Sequence, residues 1–362
     1  MTKKQLHILF EHGLHDLIPF GSSQIRLVRP FSHPTLQSFF KATFGPEYFG
    51  QPVDAVVVDR LWRPRISLSM AKSLNNDIRR IKARFIYALD DNFLNLDPAE
   101  LDFKLTIGIF DAVKYFLSNA DGIIVTTDGL KEQFSGYNSQ IFVVPNMLDE
   151  RLFSLAPVKF KSQDTIILGY MGTNTHDADL KLVIPAIRKV MKTFPGQIKF
   201  QVLGVTTKEE TLRLLEALPA EVIQLEASMR SYDQFVPWFQ ENVRWDIGLC
   251  PLLDTPFNRC KSDIKHLDYA AAGIPGIYSR VMAYESTVQH LATGYLTDNS
   301  VDAWVEGIQR LIEDVDLRSQ IAAKARAYVL SQRTIKKAAD NLVNATNAIL
   351  EGNDELAAEQ IL

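Results

Sequence analysis

Five short apolar runs occur in the first 150 residues: "LHILF" (6–10), "DAVVVDR" (54–60), "RFIYAL" (84–89), "DGIIVTT" (121–127) and "QIFVVPN" (140–146). Longer stretches of helical periodicity separate them. Runs of this length, rich in valine and isoleucine and interleaved with helices, are the pattern of βα units on a parallel sheet. The segment 150–164, "ERLFSLAPVKFKSQD", mixes proline, serine and charge without a period and reads as a linker. A second series follows it: "TIILGYM" (165–171), "IKFQVLGV" (198–205), "EVIQLE" (221–226), "WDIGLCPLL" (245–253) and "GIPGIYS" (273–279). After "GYLT" (294–297) no strand signal remains, and the chain from Val301 onward reads as helical.

The expectation is an α/β fold of two Rossmann-like, doubly wound parallel-sheet domains facing a cleft, with the cleft as the natural ligand site. The boundaries fall at 1–155 and 156–332, with 333–362 expected as a C-terminal helix packing back on the first domain. A length of 362 residues suits two such domains. The formal charge of −4 gives no general reason to expect nucleic acid, so any anion site is local. Two cysteines, Cys250 and Cys260, make neither a disulfide framework nor a zinc pattern, which fits a reducing cytoplasm. The apolar start "LHILF" is interrupted by Glu11, His12, His15 and Asp16 and does not read as a signal peptide. No run approaches the roughly 18 apolar residues of a membrane helix.

The stretch "WDIGLCPLLDTPFNRCKSDIKHLDYAAAGIPGIYS" carries the densest chemistry. A strand ends in a loop holding Pro256 and Asn258, and a helix is expected to begin near Ser262, a good N-cap residue. The first turn of such a helix offers free N–H groups to an anion, and Lys261 and Lys265 add positive charge beside it. On a helical wheel Ile264, Leu267 and Ala271 share the packed face, with Asp268 at its border. A carboxylate there is costly unless it finds donors, and sugar or ribose hydroxyls are suitable ones. The plainer alternative is that Lys265 and Asp268 form an i,i+3 pair on a solvated face. A second stretch, "GYMGTNTHDADL", places Gly172, Thr173 and His176 in a short turn between a strand and a helix, where backbone amides approach a phosphate. His176 alternatively serves only as a polar cap.

In the first half, "FIYALDDNF" ends a strand on Asp90 and Asp91, either of which orients an acceptor hydroxyl or acts as general base, the alternative being an Asx turn. The segment 60–85 holds eight Lys or Arg and one acid. Arg60, Arg63 and Arg65 follow a strand directly and suit an anionic acceptor, and the helical part suits a surface of anionic phospholipid; an ordinary solvated helix face is the plainer reading.

In order and spacing these stretches resemble the donor-binding domain of GT-B nucleotide-sugar glycosyltransferases, especially the glycosyltransferase family 4-like group, over about residues 165–330. "DGIIVTTDGLKEQF" and "VVPN" resemble the end of that group's acceptor domain more loosely. The resemblance implies transfer of a hexosyl group, with retained configuration, from a nucleotide-diphosphate sugar to a hydroxyl of a glycan or lipid-linked acceptor. The setting it implies is bacterial surface polysaccharide or glycoconjugate synthesis. It implies donor contacts at Gly172, Thr173, His176, Asn258, Lys261, Ser262, Lys265 and Asp268, acceptor contacts at Arg60 and Arg63, and chemistry at Asp90 or Asp91. No cofactor and no metal ion are expected, nor nucleic acid; the protein is expected in the cytoplasm, with peripheral contact at the inner membrane face. The chain departs from the group's paired glutamates: Asp268 stands at the second position and Cys260 at the first. The rival readings are a catalytically silent nucleotide-sugar-binding module and a nucleotide-sugar epimerase. A dinucleotide dehydrogenase ranks lower, because neither half opens with a G-x-G-x-x-G turn.

Overall fold

The computed structural model describes residues 2–14, 17–96, 103–154, 165–172, 176–204, 209–226 and 231–352. The chain divides into two compact units, one of Met1–Asp149, Cys260–Ser262 and Thr334–Leu362, the other of Glu150–Arg259 and Asp263–Arg333. The expected linker at 150–164 lies largely outside the described residues, as does Thr173.

The first unit holds six parallel strands: β1 (Lys4–Leu9), β2 (Phe40–Gly45), β3 (Ala55–Asp59), β4 (Arg84–Leu89), β5 (Gly122–Val125) and β6 (Ile141–Val143), in spatial order β2-β1-β3-β4-β5-β6. Residue alternation divides its core between two faces. Val56, Val58, Phe85, Tyr87 and Leu89 pack on one side with the Leu68–Arg80 helix; Ala55, Val57, Ile86 and Ala88 pack on the other with Ile335, Leu342 and Ile349 of the last helix, Ile335–Glu351. Strands buried on both faces read as continuous apolar runs, which is why β3 and β4 stand out so clearly. β2 does not: "FKATFG" is an edge strand with alternating polar residues, so its sequence carries only half an apolar pattern.

The second unit also holds six parallel strands: β7 (Ile166–Met171), β8 (Ile198–Leu203), β9 (Ala220–Ile223), β10 (Ile247–Cys250), β11 (Gly276–Ser279) and β12 (Tyr295–Thr297), ordered β12-β11-β10-β7-β8-β9. Gly169 lies inside β7 because the Trp245 ring crosses it: a Cβ there would sit 1.8 Å from a ring carbon. The helix expected near Ser262 runs over Ile264–Ala272 and ends on Gly273 in the left-handed conformation, φ 74°, a common terminator that needs no Cβ.

Candidate functional site

In an open parallel sheet, ligands bind beyond the carboxyl ends of the strands where the strand order reverses. In the first unit the chain leaves β1 for β2 on one side and resumes at β3 on the other, so the reversal lies between β1 and β3. The carboxyl ends there carry Glu11, Asp59 and Arg60, with Asp90 and Asp91 just past β4.

These residues form one ionic network. Asp59 is fully buried and accepts from Arg26, from the Ser23 hydroxyl and from the Glu11 backbone N–H at 3.3 Å. Arg60 donates through Nε to Glu11 Oε2 at 2.5 Å and through Nη1 to Asp90 Oδ1 at 2.6 Å and Asp91 Oδ2 at 3.1 Å. Lys261 Nζ donates to Asp91 Oδ1 at 3.2 Å. The Arg60 guanidinium also lies over the Phe93 ring, 4.8 Å from its centre. Its backbone is held in a conformation unusual for a side-chain-bearing residue, φ 49°, with the Tyr87 hydroxyl donating to its carbonyl at 3.0 Å. Such backbone strain persists only where surrounding contacts enforce it.

Four carboxylates face three cations, and the acids divide accordingly. Burial pushes Asp91 up, but Lys261 and Arg60 together outweigh it and hold the carboxyl at about 2. Burial raises Glu11 to about 7; Arg60 opposes the rise, while Asp59 and Asp90 add to it.

In the second unit the chain runs from β7 outward to β8 and β9 and returns to β10 on the other side of β7, so the reversal lies between β7 and β10. Asp179, buried in the first turn of the Asp177–Thr193 helix, ties the loops past both strands together. Its Oδ1 accepts from the Leu253 N–H at 2.8 Å and from Asn258 Nδ2 at 3.5 Å, and its Oδ2 accepts from His176 Nδ1 at 2.8 Å. Asn258 Nδ2 also donates to the Leu253 carbonyl at 2.9 Å. Gly204, at φ 76°, faces Gly172 so closely that a Cβ would lie 2.4 Å from the Gly172 carbonyl oxygen, so backbone meets backbone beside this turn. On the Ile264–Ala272 helix, Lys265 Nζ lies over the Tyr170 ring, 5.2 Å from its centre. Asp268 is buried and accepts from the Tyr232 hydroxyl at 3.2 Å; burial raises it to about 7, with Tyr232 opposing.

The sequence-expected residues are thus distributed by unit. Asp90, Asp91, Arg60 and Lys261 meet in the first; Gly172, His176, Asn258, Lys265 and Asp268 belong to the second. Arg60, expected to hold an anionic acceptor, is engaged by three carboxylates, and Arg63 is engaged by Glu47. One expectation is corrected: Ser262 is not the N-cap. The helix starts two residues later, and Ser262 Oγ accepts from Asn146 Nδ2 at 2.9 Å within the first unit. Asp263 takes the cap position without a side-chain cap, because Arg333 binds both its oxygens, at 2.8 and 3.0 Å.

Sequence reasoning misses Glu11, Arg26, Asp59 and Asp179. Glu11 reads only as a charge interrupting an apolar start, and Asp179 only as an acid opening a helix. The signal for Asp59 is present: "VVVD" closes a strand on an acid just as "FIYALDD" does.

No protein-family model matches this sequence, and no curated protein sequence does. Solved structures match over nearly the whole chain. The sucrose-phosphate synthase of Thermosynechococcus elongatus aligns over 99% of both chains with a TM-score of 0.65 at 14% identity. HepE of Anabaena, in complex with UDP and glucose, aligns over 95% of this chain and all of its own with a TM-score of 0.64 at 11% identity. TarM aligns over 81% of this chain with a TM-score of 0.60 at 15% identity, and the match spans about half, 54%, of TarM. The fold is that of the GT-B class, two Rossmann-like domains in one chain. At these identities the likeness establishes architecture.

Proposed function

We propose that the protein is a glycosyltransferase that moves a hexosyl group from a nucleotide-diphosphate sugar to a hydroxyl of a glycan or lipid-linked acceptor. What carries the reading is the reversal point of the second sheet: two loops tied by Asp179, a close backbone approach at Gly172 and Gly204, and Asp268 with the Tyr232 hydroxyl as its one hydrogen-bond partner among the described residues. HepE, of like fold, holds UDP and glucose.

In this reading the second unit takes the donor. Asp268 accepts from ribose hydroxyls, which supply the donors that a buried acid requires. Lys265 and the first-turn N–H groups of the Ile264–Ala272 helix stabilise the negative charge that gathers on the leaving diphosphate. The turn at Gly172 and His176 lines the same ligand, and no metal ion is called for. The first unit takes the acceptor, whose hydroxyl oxygen forms the new bond to the anomeric carbon as the bond from that carbon to the phosphate oxygen breaks. The basic excess of the Leu68–Arg80 helix, with Lys72, Arg79 and Arg80 exposed, supports peripheral contact with anionic lipid at the cytoplasmic membrane face.

The test is thermal unfolding of the purified protein with a panel of nucleoside diphosphates and nucleotide sugars, repeated for Asp268→Ala and Lys265→Ala. A ligand at 100 times its Kd stabilises by about 2.7 kcal/mol, a rise of several degrees. A selective rise that is lost in both variants supports the reading and names the base. No rise with any nucleotide refutes it.

A further inference from the structure

Eleven large apolar side chains are exposed among the described residues, and six of them stand at one end of the first sheet. Leu14, Leu17, Ile18 and Phe20 follow β1, with Leu17 63% exposed; Phe49, 86% exposed, follows β2; Met70 lies in the first turn of the Leu68–Arg80 helix, which follows β3. The carboxyl ends of these strands are neighbours, Leu9 standing in register with Gly45 on one side and Val58 on the other. Side chains then join the loops beyond them. Trp62 Nε1 donates to the Pro46 carbonyl at 2.7 Å and Arg63 pairs with Glu47, which ties the loop after β3 to the loop after β2; Arg60 Nε, donating to Glu11 at 2.5 Å, ties it to the loop after β1. That last loop also closes on itself: the Phe20 N–H donates to the Glu11 carbonyl at 3.0 Å and His12 bridges to Pro19. His15 and Asp16 lie outside the described residues.

The charges set among these side chains have one sign. Arg65 and Lys72 are exposed, and neither side chain makes an ion pair among the described residues. The described acids of the same loops are already matched, Glu11 by Arg60 and Glu47 by Arg63. Arg65 is also presented by a pinned segment: Arg60, Trp62 and Arg65 hold φ of 49°, 57° and 56°, a strain that persists only where surrounding contacts enforce it. The far end of the helix differs. Arg79 is bound to Asp121 and to the Asn119 carbonyl, and Arg80 to Asp77. Contiguous exposed apolar side chains mark an interaction surface, and unmatched cations among them make its complement anionic. An anionic bilayer meets both demands, with acyl chains for the apolar groups and phosphates for the cations.

We infer that the loops after β1, β2 and β3 form a docking surface for an anionic lipid bilayer, the six apolar side chains entering the boundary between headgroups and acyl chains while Arg65 and Lys72 meet lipid phosphates. The inference rests on the lipid contact proposed above and deepens it, moving that contact from the basic far end of the helix to the strand ends. It does not depend on sugar transfer.

The experiment sediments the full chain with vesicles of phosphatidylcholine, alone or mixed with about one-third phosphatidylglycerol. Wild type is compared with Leu17→Ser/Ile18→Ser, Phe49→Ser, Arg65→Gln/Lys72→Gln and, at the far end of the helix, Arg79→Gln/Arg80→Gln. Ile18→Trp adds a fluorescence readout of its own. The expected result is binding to the mixed vesicles and little to phosphatidylcholine alone, a loss of about tenfold or more in Leu17→Ser/Ile18→Ser and in Arg65→Gln/Lys72→Gln, a change under about twofold in Arg79→Gln/Arg80→Gln, and a blue shift of the Ile18→Trp emission when mixed vesicles are added. Binding that falls in Arg79→Gln/Arg80→Gln and not in the strand-end variants keeps the lipid contact and overturns its assignment to this edge. Wild type that ignores both vesicles refutes the lipid contact and the inference together, and a dimer dissolved by Leu17→Ser/Ile18→Ser then gives the edge to a second copy of the chain. If one variant does not fold, Phe49→Ser and the Ile18→Trp emission decide the outcome. Thermal shifts with UDP, followed in the same proteins, report on the glycosyltransferase reading separately.

Discussion

The two sheets share an architecture, yet their carboxyl edges solve the problem of buried acids in opposite ways. At the first, Arg26, Arg60 and Lys261 are spread over Glu11, Asp59, Asp90 and Asp91, and both oxygens of Asp59 and of Asp91 accept hydrogen bonds. At the second, Asp179 accepts from the Leu253 N–H, Asn258 and His176, and Asp268 accepts, among the described residues, from one tyrosine hydroxyl. A network closed on itself fixes geometry, whereas a buried acid short of donors is an edge that a ligand completes.

The largest effect expected from this contrast is at Arg60. Arg60→Met leaves Glu11, Asp90 and Asp91 together without their shared guanidinium, and breaking a buried ionic network in this way costs about 3–5 kcal/mol. Denaturant midpoints measure it; a loss under about 1 kcal/mol would show that the first edge is not the closed network described. A smaller effect, with a definite sign, comes from Asp268. Its carboxyl is raised in the folded protein, so the protonated form is favoured there. Stability is greatest below its ordinary value near 3.8 and falls as pH rises toward about 7, levelling above. Glu11 acts in the same direction over pH 4.5 to 7, so Asp268→Asn removes part of the slope and leaves part. Asp268→Asn is expected to be more stable than wild type at pH 8 by at least about 1.4 kcal/mol, the equivalent of a tenfold difference in a carboxyl's proton affinity between folded and unfolded protein. Unfolding curves from pH 4 to 9 read it, and an unaltered slope contradicts the donor-starved environment assigned to Asp268.

The central strands are legible in the sequence because burial on both faces leaves continuous apolar runs such as "AVVVD" and "IILGYM". The edge strand β2 is not, because one polar face removes half the signal. Asp90, Asp91 and Asp268 are visible because acids at a strand end or on an apolar helix face contradict their surroundings locally. Arg26 and Asp179 contradict nothing locally, and their partners lie on elements far apart in sequence that fold side by side. Ser262 misleads for the complementary reason: it is a good capping residue, but Arg333, 71 positions later, holds the adjacent Asp263 and the helix begins beyond it.

The proposed sugar transfer is tested most directly by turnover. The protein, incubated with UDP-hexoses and a panel of glycan and lipid-linked acceptors, is followed by release of free UDP and by the anomeric proton signal of the new glycoside. Acceptor-dependent UDP release with one new anomeric signal, abolished by Asp268→Ala, is the expected result. UDP-hexose that binds yet stays intact with every acceptor would contradict it and leave a nucleotide-sugar-binding protein.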